Sequence, residues 1–127
     1  MHPDFSGRWR ANIDESLFVS RTPQRLTAEI SHNPEWLHVE MCVSFEDMDD
    51  SRMRYEAPIV GSDEVRAGSV AFARWMGDDL IVETRFESGG QEIVLRDRWW
   101  LSDDGTRLTM AHRDDALAGQ QVVFERR

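Results

Sequence analysis

Apolar and polar positions alternate along most of this chain, in short blocks separated by turn residues. The most regular block runs from Trp36 to Phe45, where Leu37, Val39, Met41, Val43 and Phe45 interleave with His38, Glu40, Cys42 and Ser44. A period of two places such a run in a β-strand with one face inward and one toward water. The same period marks Asp4–Ala11 (Phe5, Gly7, Trp9, Ala11), Gln24–Ser31 (Leu26, Ala28, Ile30), Arg52–Ile59 (Met53, Tyr55, Ala57, Ile59) and Gln120–Arg127 (Val122, Phe124, Arg126). Between Ser69 and His112 four further strands are joined by three turn signals. These are Met76-Gly77-Asp78-Asp79, Ser88-Gly89-Gly90-Gln91 and Ser102-Asp103-Asp104-Gly105, each flanked by β-branched, aromatic and aliphatic residues.

The turns predict register. The first pairs Trp75 with Leu80, Ala73 with Val82 and Ala71 with Thr84. Centring the second on Gly89-Gly90 pairs Phe86 with Ile93, Thr84 with Leu95, Val82 with Asp97 and Leu80 with Trp99. A four-residue loop Ser102–Gly105 pairs Leu101 with Thr106, Trp99 with Leu108, Asp97 with Met110 and Leu95 with His112. Opposed residues share a face. One face therefore collects Ala71, Ala73, Trp75, Leu80, Val82, Thr84, Phe86, Ile93, Leu95, Asp97, Trp99, Leu101, Leu108, Met110 and His112. The other carries Arg74, Glu83, Arg85, Glu92, Arg96, Arg98 and Arg113.

Nine short strands result, hairpin-linked throughout, with loops at Glu46–Ser51, Val60–Arg66 and Asp114–Gly119. One helical turn is expected after Asn12, whose side chain would cap it, with Asp14 and Glu15 in its first turn. The expected fold is all-β: a single antiparallel up-and-down β-barrel of about 8–10 strands, one domain over residues 1–127. Closure into a barrel removes exposed edges; a two-sheet sandwich is the competing closure.

Composition narrows the function classes. With 127 residues, 40% hydrophobic and 31% charged, the chain can bury a core without staples. A net charge of −9 with dispersed acids argues against nucleic acid and anionic membrane surfaces, which need clustered cations. A single cysteine, Cys42, leaves no internal disulfide and no cysteine-based zinc site. With no apolar run of signal-peptide or membrane-spanning length, the expected location is the cytoplasm.

Phe5-Ser6-Gly7-Arg8-Trp9, together with Arg126 near the other end, resembles the calycin superfamily: lipocalins, fatty-acid-binding proteins and bacterial lipocalin-like relatives. The fuller pattern adds Asn12-x-x-x-Ser16, Trp75-x-Gly77-Asp78-x-Leu80 and Arg98-Trp99-x-Leu101-Ser102-x-Asp104-Gly105. The resemblance implies that Trp9 packs under the barrel against Arg126 or Arg127. Two departures stand out. Asn12–Thr22 is too short for the two-helix lid of fatty-acid-binding proteins. Val122-Val123-Phe124 replaces their carboxylate-gripping Arg-x-Tyr. Ligand identity therefore does not carry over.

Inside a closed barrel the shared face becomes the interior. Small Ser69, Ala71 and Ala73 opposite Thr84 and Val82 leave room there. Met41, Met53, Met110, Trp75, Trp99, Phe45, Phe86 and Phe124 supply an adaptable lining. The functional reading is a pocket for a small apolar or aromatic molecule; the competing one is a barrel filled by these side chains. Tyr55, Thr84, Asp97, His112 and Arg126 interrupt the inward face. A carboxylate in an apolar interior must be paired, hydrogen-bonded or protonated. Asp97 and His112, expected diagonally across a hairpin about 7–8 Å apart, with Tyr55 as donor, form either an acid–base constellation or a structural network. An enzyme reading makes the barrel a cofactor-free isomerase, cyclase or decarboxylase; a third is an interaction protein presenting Trp36 and Trp100. His38 and Glu40 read as surface residues more than as metal ligands, and Glu46–Asp50 lacks the ligand spacing of a calcium loop. No metal or cofactor is expected.

Overall fold

A computed structural model describes residues 3–19, 21–59, 71–112 and 119–127. Nine strands form one sheet: β1 (Gly7–Ala11), β2 (Arg25–His32), β3 (Trp36–Ser44), β4 (Ser51–Pro58), β5 (Ala71–Met76), β6 (Asp79–Ser88), β7 (Gln91–Leu101), β8 (Arg107–His112) and β9 (Gln121–Arg126). Their order is β4-β3-β2-β1-β9-β8-β7-β6-β5, every neighbouring pair antiparallel. The sheet curls so that its ends approach, and Ile59 bridges Ala73. The outcome is a nearly closed barrel, not a sandwich.

That last bridge is parallel, and parity explains why. Strands that alternate direction around a ring close without a parallel seam only if their number is even. Here β1 and β9 pair antiparallel, so with nine strands one consecutive pair must point the same way. The misfit falls between β4 and β5. The expectation of hairpins throughout fails at this connection; the Val60–Arg66 loop, like Arg113 and most of Asp114–Gly119, lies outside the described residues.

Two hairpins have the predicted register. Met76 pairs Asp79 around Gly77-Asp78, and Ser88 pairs Gln91 around Gly89-Gly90. Both central glycines of the second turn have positive φ, 61° and 80°, which the right-handed twist of a two-residue hairpin demands. The third hairpin is longer than predicted. Leu101 pairs Leu108, Trp99 pairs Met110 and Asp97 pairs His112. Asp104 Oδ1 accepts from the Ser102 hydroxyl, the Thr106 hydroxyl and the Thr106 N–H (2.7, 2.7 and 3.1 Å), and Ser102 N–H donates to Arg107 O (2.9 Å). Thr106 is thereby drawn into the loop. A shift of two residues preserves the face but changes every partner.

The segment after Asn12 is a hydrogen-bonded turn, not a helix among the described residues. Asn12 Oδ1 accepts from Glu15 N–H (3.2 Å) as a cap would, but Ser16 ends it. The Ser16 hydroxyl donates to Asn12 O (2.7 Å) and accepts from Val123 N–H (2.9 Å), tying the turn to β9. At the other side of β1, Ser6 N–H donates to Asp4 Oδ1 (2.9 Å). This local turn starts the strand at Gly7 rather than Asp4. Burial would raise the Asp4 carboxyl, but hydrogen bonds from Ser6, with His32 and Arg126 nearby, hold it below the ordinary value.

The barrel is solid at one end. Phe5, Trp9, Leu37, Leu80, Trp99 and Leu108 are fully buried there. Phe5 stacks on Trp75 and meets Trp99 edge-on, at 6.0 and 5.8 Å between centroids. Trp9 Nε1 donates to Phe5 O (3.0 Å). The Arg126 guanidinium lies 4.2 Å from the Trp9 ring centre, as the resemblance implied, and donates to Gly105 O and Ser6 O (2.8 and 2.9 Å). Arg126 thus closes the base and does not enter the interior.

The outward face is less polar than predicted. Phe72, Ile81 and Glu83 point outward yet are buried. Glu83 takes bonds from Arg85 (2.9 and 3.1 Å) and Arg96 (2.7 Å). Burial alone would raise its carboxyl, but these two arginines outweigh it and hold the group below the ordinary value.

Candidate functional site

Above the solid base the barrel is open. A cavity of about 540 Å³ is lined by Leu26, Met41, Met53, Tyr55, Ala71, Thr84, Arg85, Leu95, Asp97, Met110, His112, Gln120, Val122 and Phe124. The division follows from side-chain size. Trp9, Trp99, Leu37, Leu80 and Val82 fill the lower layers. One layer higher the inward positions of β5 and β6 are Ala71 and Thr84, directly paired, which leave the volume unclaimed. Met53 is 53% exposed and stands at the mouth, whereas Met110 is 2% exposed and forms floor.

Of the residues predicted to line a pocket, Met41, Met53, Met110, Ala71, Thr84 and Phe124 come together here, with Tyr55, Asp97 and His112 among them. Ala73 and Trp99 lie beneath, fully buried in the base. Trp75 packs on Phe5 and His32 and borders a separate hollow of about 480 Å³ with Pro3, Asp4, Asn33, Pro34 and Ile59. The backbone pairs Phe86 with Ile93, but the Phe86 side chain, like Ser69, lies outside the described residues. Phe45 is covered by Arg21, whose guanidinium stands 4.9 Å from its ring centre.

Leu26, Leu95, Gln120 and Val122 also line the cavity although the sequence did not single them out as site residues. The signal was present for Gln120, which is two residues before Val122 and four before Phe124 on the same strand face. Arg85, on the outward face, borders the cavity too, with Nε and Nη2 bound to Glu83.

The polar groups converge on one side of the floor. Asp97 and His112 are directly opposed on β7 and β8, not diagonal, and Asp97 Oδ1 is in direct contact with His112 Nδ1. Both side chains are mostly buried, at 18% and 15% exposure. Burial pushes the Tyr55 phenol well above its ordinary value, and the Asp97 charge adds to the shift. Tyr55 is therefore a neutral donor throughout the physiological range. An apolar wall, a carboxylate touching an imidazole and a neutral phenol can hold a small molecule and fix its orientation, or move a proton on it.

The other singled-out residues lie on the outside. His38 Nδ1 stands 3.3 Å from Glu56 Oε1 across β3 and β4, and Glu40 faces Arg52 and Arg54 at 3.8 and 3.4 Å. Among the described residues no three metal-ligating side chains cluster. Trp36, 37% exposed, leans on His38, with ring centres 6.4 Å apart. Trp100 borders a shallow surface depression with Asp79, Arg98, Ala111 and Gln121. In the acidic loop Asp47 pairs with Arg21.

No protein-family model matches the chain, and no curated protein matches it.

Proposed function

We propose that this protein is a lipocalin-like barrel of the calycin type that binds one small hydrophobic or aromatic molecule in its interior. The observation that carries the reading is the cavity of about 540 Å³, in the size range of small-molecule sites and walled chiefly by aliphatic, thioether and aromatic groups. The calycin part is supported by the Gly7-x-Trp9 strand, whose tryptophan lies against Arg126 at 4.2 Å beneath the barrel. N-phenylnaphthylamine, an apolar dye that brightens in dry surroundings, tests it. One dye per protein should bind, and Thr84→Phe or Ala71→Phe, which fill the cavity, should abolish the fluorescence gain while circular dichroism stays unchanged. Dye binding that survives both substitutions would end the reading.

A second reading is favoured by the Asp97–His112 contact beside Tyr55: a cofactor-free enzyme acting on a carbon acid. His112, oriented by Asp97, would take a proton from the carbon beside a carbonyl while Tyr55 donates to the carbonyl oxygen. Its probe is β-tetralone in deuterated water. The reading requires hydrogen exchange at the α-carbon that His112→Gln abolishes, and fails if wild type and variant exchange alike.

A further inference from the structure

The cavity has a charge preference that its apolar walls conceal. Its wall contains Asp97, and Asp97 Oδ1 is fully buried against His112 Nδ1 while 18% of the side chain stays accessible. The second carboxylate oxygen receives no hydrogen bond among the described residues. A carboxylate has about four acceptor positions, and the imidazole contact alone leaves Asp97 under-satisfied in surroundings where that is costly. Apart from His112, whose imidazole touches Oδ1, no described lining residue offers a cation to balance it. Arg85 is the only guanidinium there, and its Nε and Nη2 go to Glu83 at 3.1 and 2.9 Å. Arg126, which the sequence placed inward, is committed to the base through Gly105 O and Ser6 O.

Building on the small-molecule reading above, we infer that the natural ligand carries a protonatable nitrogen, as an amine or basic heterocycle, on an apolar or aromatic frame. The nitrogen donates to the free oxygen of Asp97, and the frame lies among Met41, Met110 and Phe124. Carboxylates are rejected, because they would set one anion against another in a dry site. A chain with 24 acidic and 15 basic residues also favours cations over anions in its surroundings. The thioethers and the Phe124 ring favour the same ligand, since polarizable groups and ring faces attract cations.

The probes are three molecules of nearly equal shape, naphthylmethylamine, naphthylmethanol and naphthoate, titrated calorimetrically into the full chain at neutral pH. The amine should bind at least about tenfold more tightly than the alcohol, the gain expected of a charge-assisted hydrogen bond. Naphthoate should bind weakest. Asp97→Asn should bring amine and alcohol to parity. The wild-type ranking decides the matter even if that variant does not fold, and His112→Leu gives a second handle by removing the imidazole that touches Asp97 and widening the amine advantage. Naphthoate binding as tightly as the amine, or an amine advantage that persists in Asp97→Asn, overturns the inference and leaves the pocket standing. If none of the three binds, the pocket falls with it.

Discussion

Tyr55 is the only tyrosine in the chain, so its titration can be watched alone. Burial first, and the Asp97 charge second, raise its folded pKa, while the unfolded chain releases the proton near about 10. A raised folded value means that its stabilisation is complete below the unfolded pKa and drains away as the pH climbs past it. Tyrosinate absorbance should therefore be absent at pH values where free tyrosine ionises, and should appear only together with loss of the circular dichroism of the fold. Smooth titration of folded protein at the ordinary value would show the phenol to be solvated. How far the site can be read from sequence is clearest at this scale. The inward direction of Tyr55, Asp97 and His112 follows from alternation alone, because a period of two survives any even slip. Their contact does not follow, because it depends on Asp104 drawing Thr106 into a turn through hydrogen bonds that no hydrophobic pattern encodes. Those same bonds, from Ser102 first and then Thr106, hold the Asp104 carboxyl down at about 2.

At the level of the strand, β1 shows how one glycine sets the base of the barrel. Gly7 has φ of 140°, and a Cβ there would lie 2.6 Å from Arg126 Nη1. The guanidinium can lie over Trp9 and reach Ser6 O only because that atom is missing. Gly7→Ala should cost about 1–3 kcal/mol, combining backbone strain with displacement of the guanidinium, measurable by urea unfolding. The summed tryptophan fluorescence should shift with it, while dye binding in the cavity at the far end persists. An unchanged midpoint would show that Arg126 moves aside freely. The short motif could be read in the sequence as a likeness, but the reason for its glycine could not, since the clash is with a residue at the opposite end of the chain. The outward face of β6 marks another boundary of legibility. Glu83 has the pattern of a solvent residue, and its burial between Arg85 and Arg96 depends on tertiary packing.

Across the whole molecule the gradient from filled base to open top was only half visible in the sequence. Residue sizes told where room exists, as at Ala71 opposite Thr84, but not which large side chains stack into the base and which remain to line the hollow. Alternation reveals nine strands, but pattern within strands says nothing of the direction in which the chain re-enters the wall. Like an odd ring of alternating magnets, this wall holds one pair that cannot be reconciled. Between β4 and β5 the described residues share a single parallel bridge, so each has a full ladder on one side only. Hydrogen exchange followed by mass spectrometry should find the amides of β4 and β5 trading first and those of β7 last; equal protection all round would deny it. Sealing such a wall takes a tenth stave or the loss of one, so tolerance for a strand gained or lost is greatest along this line.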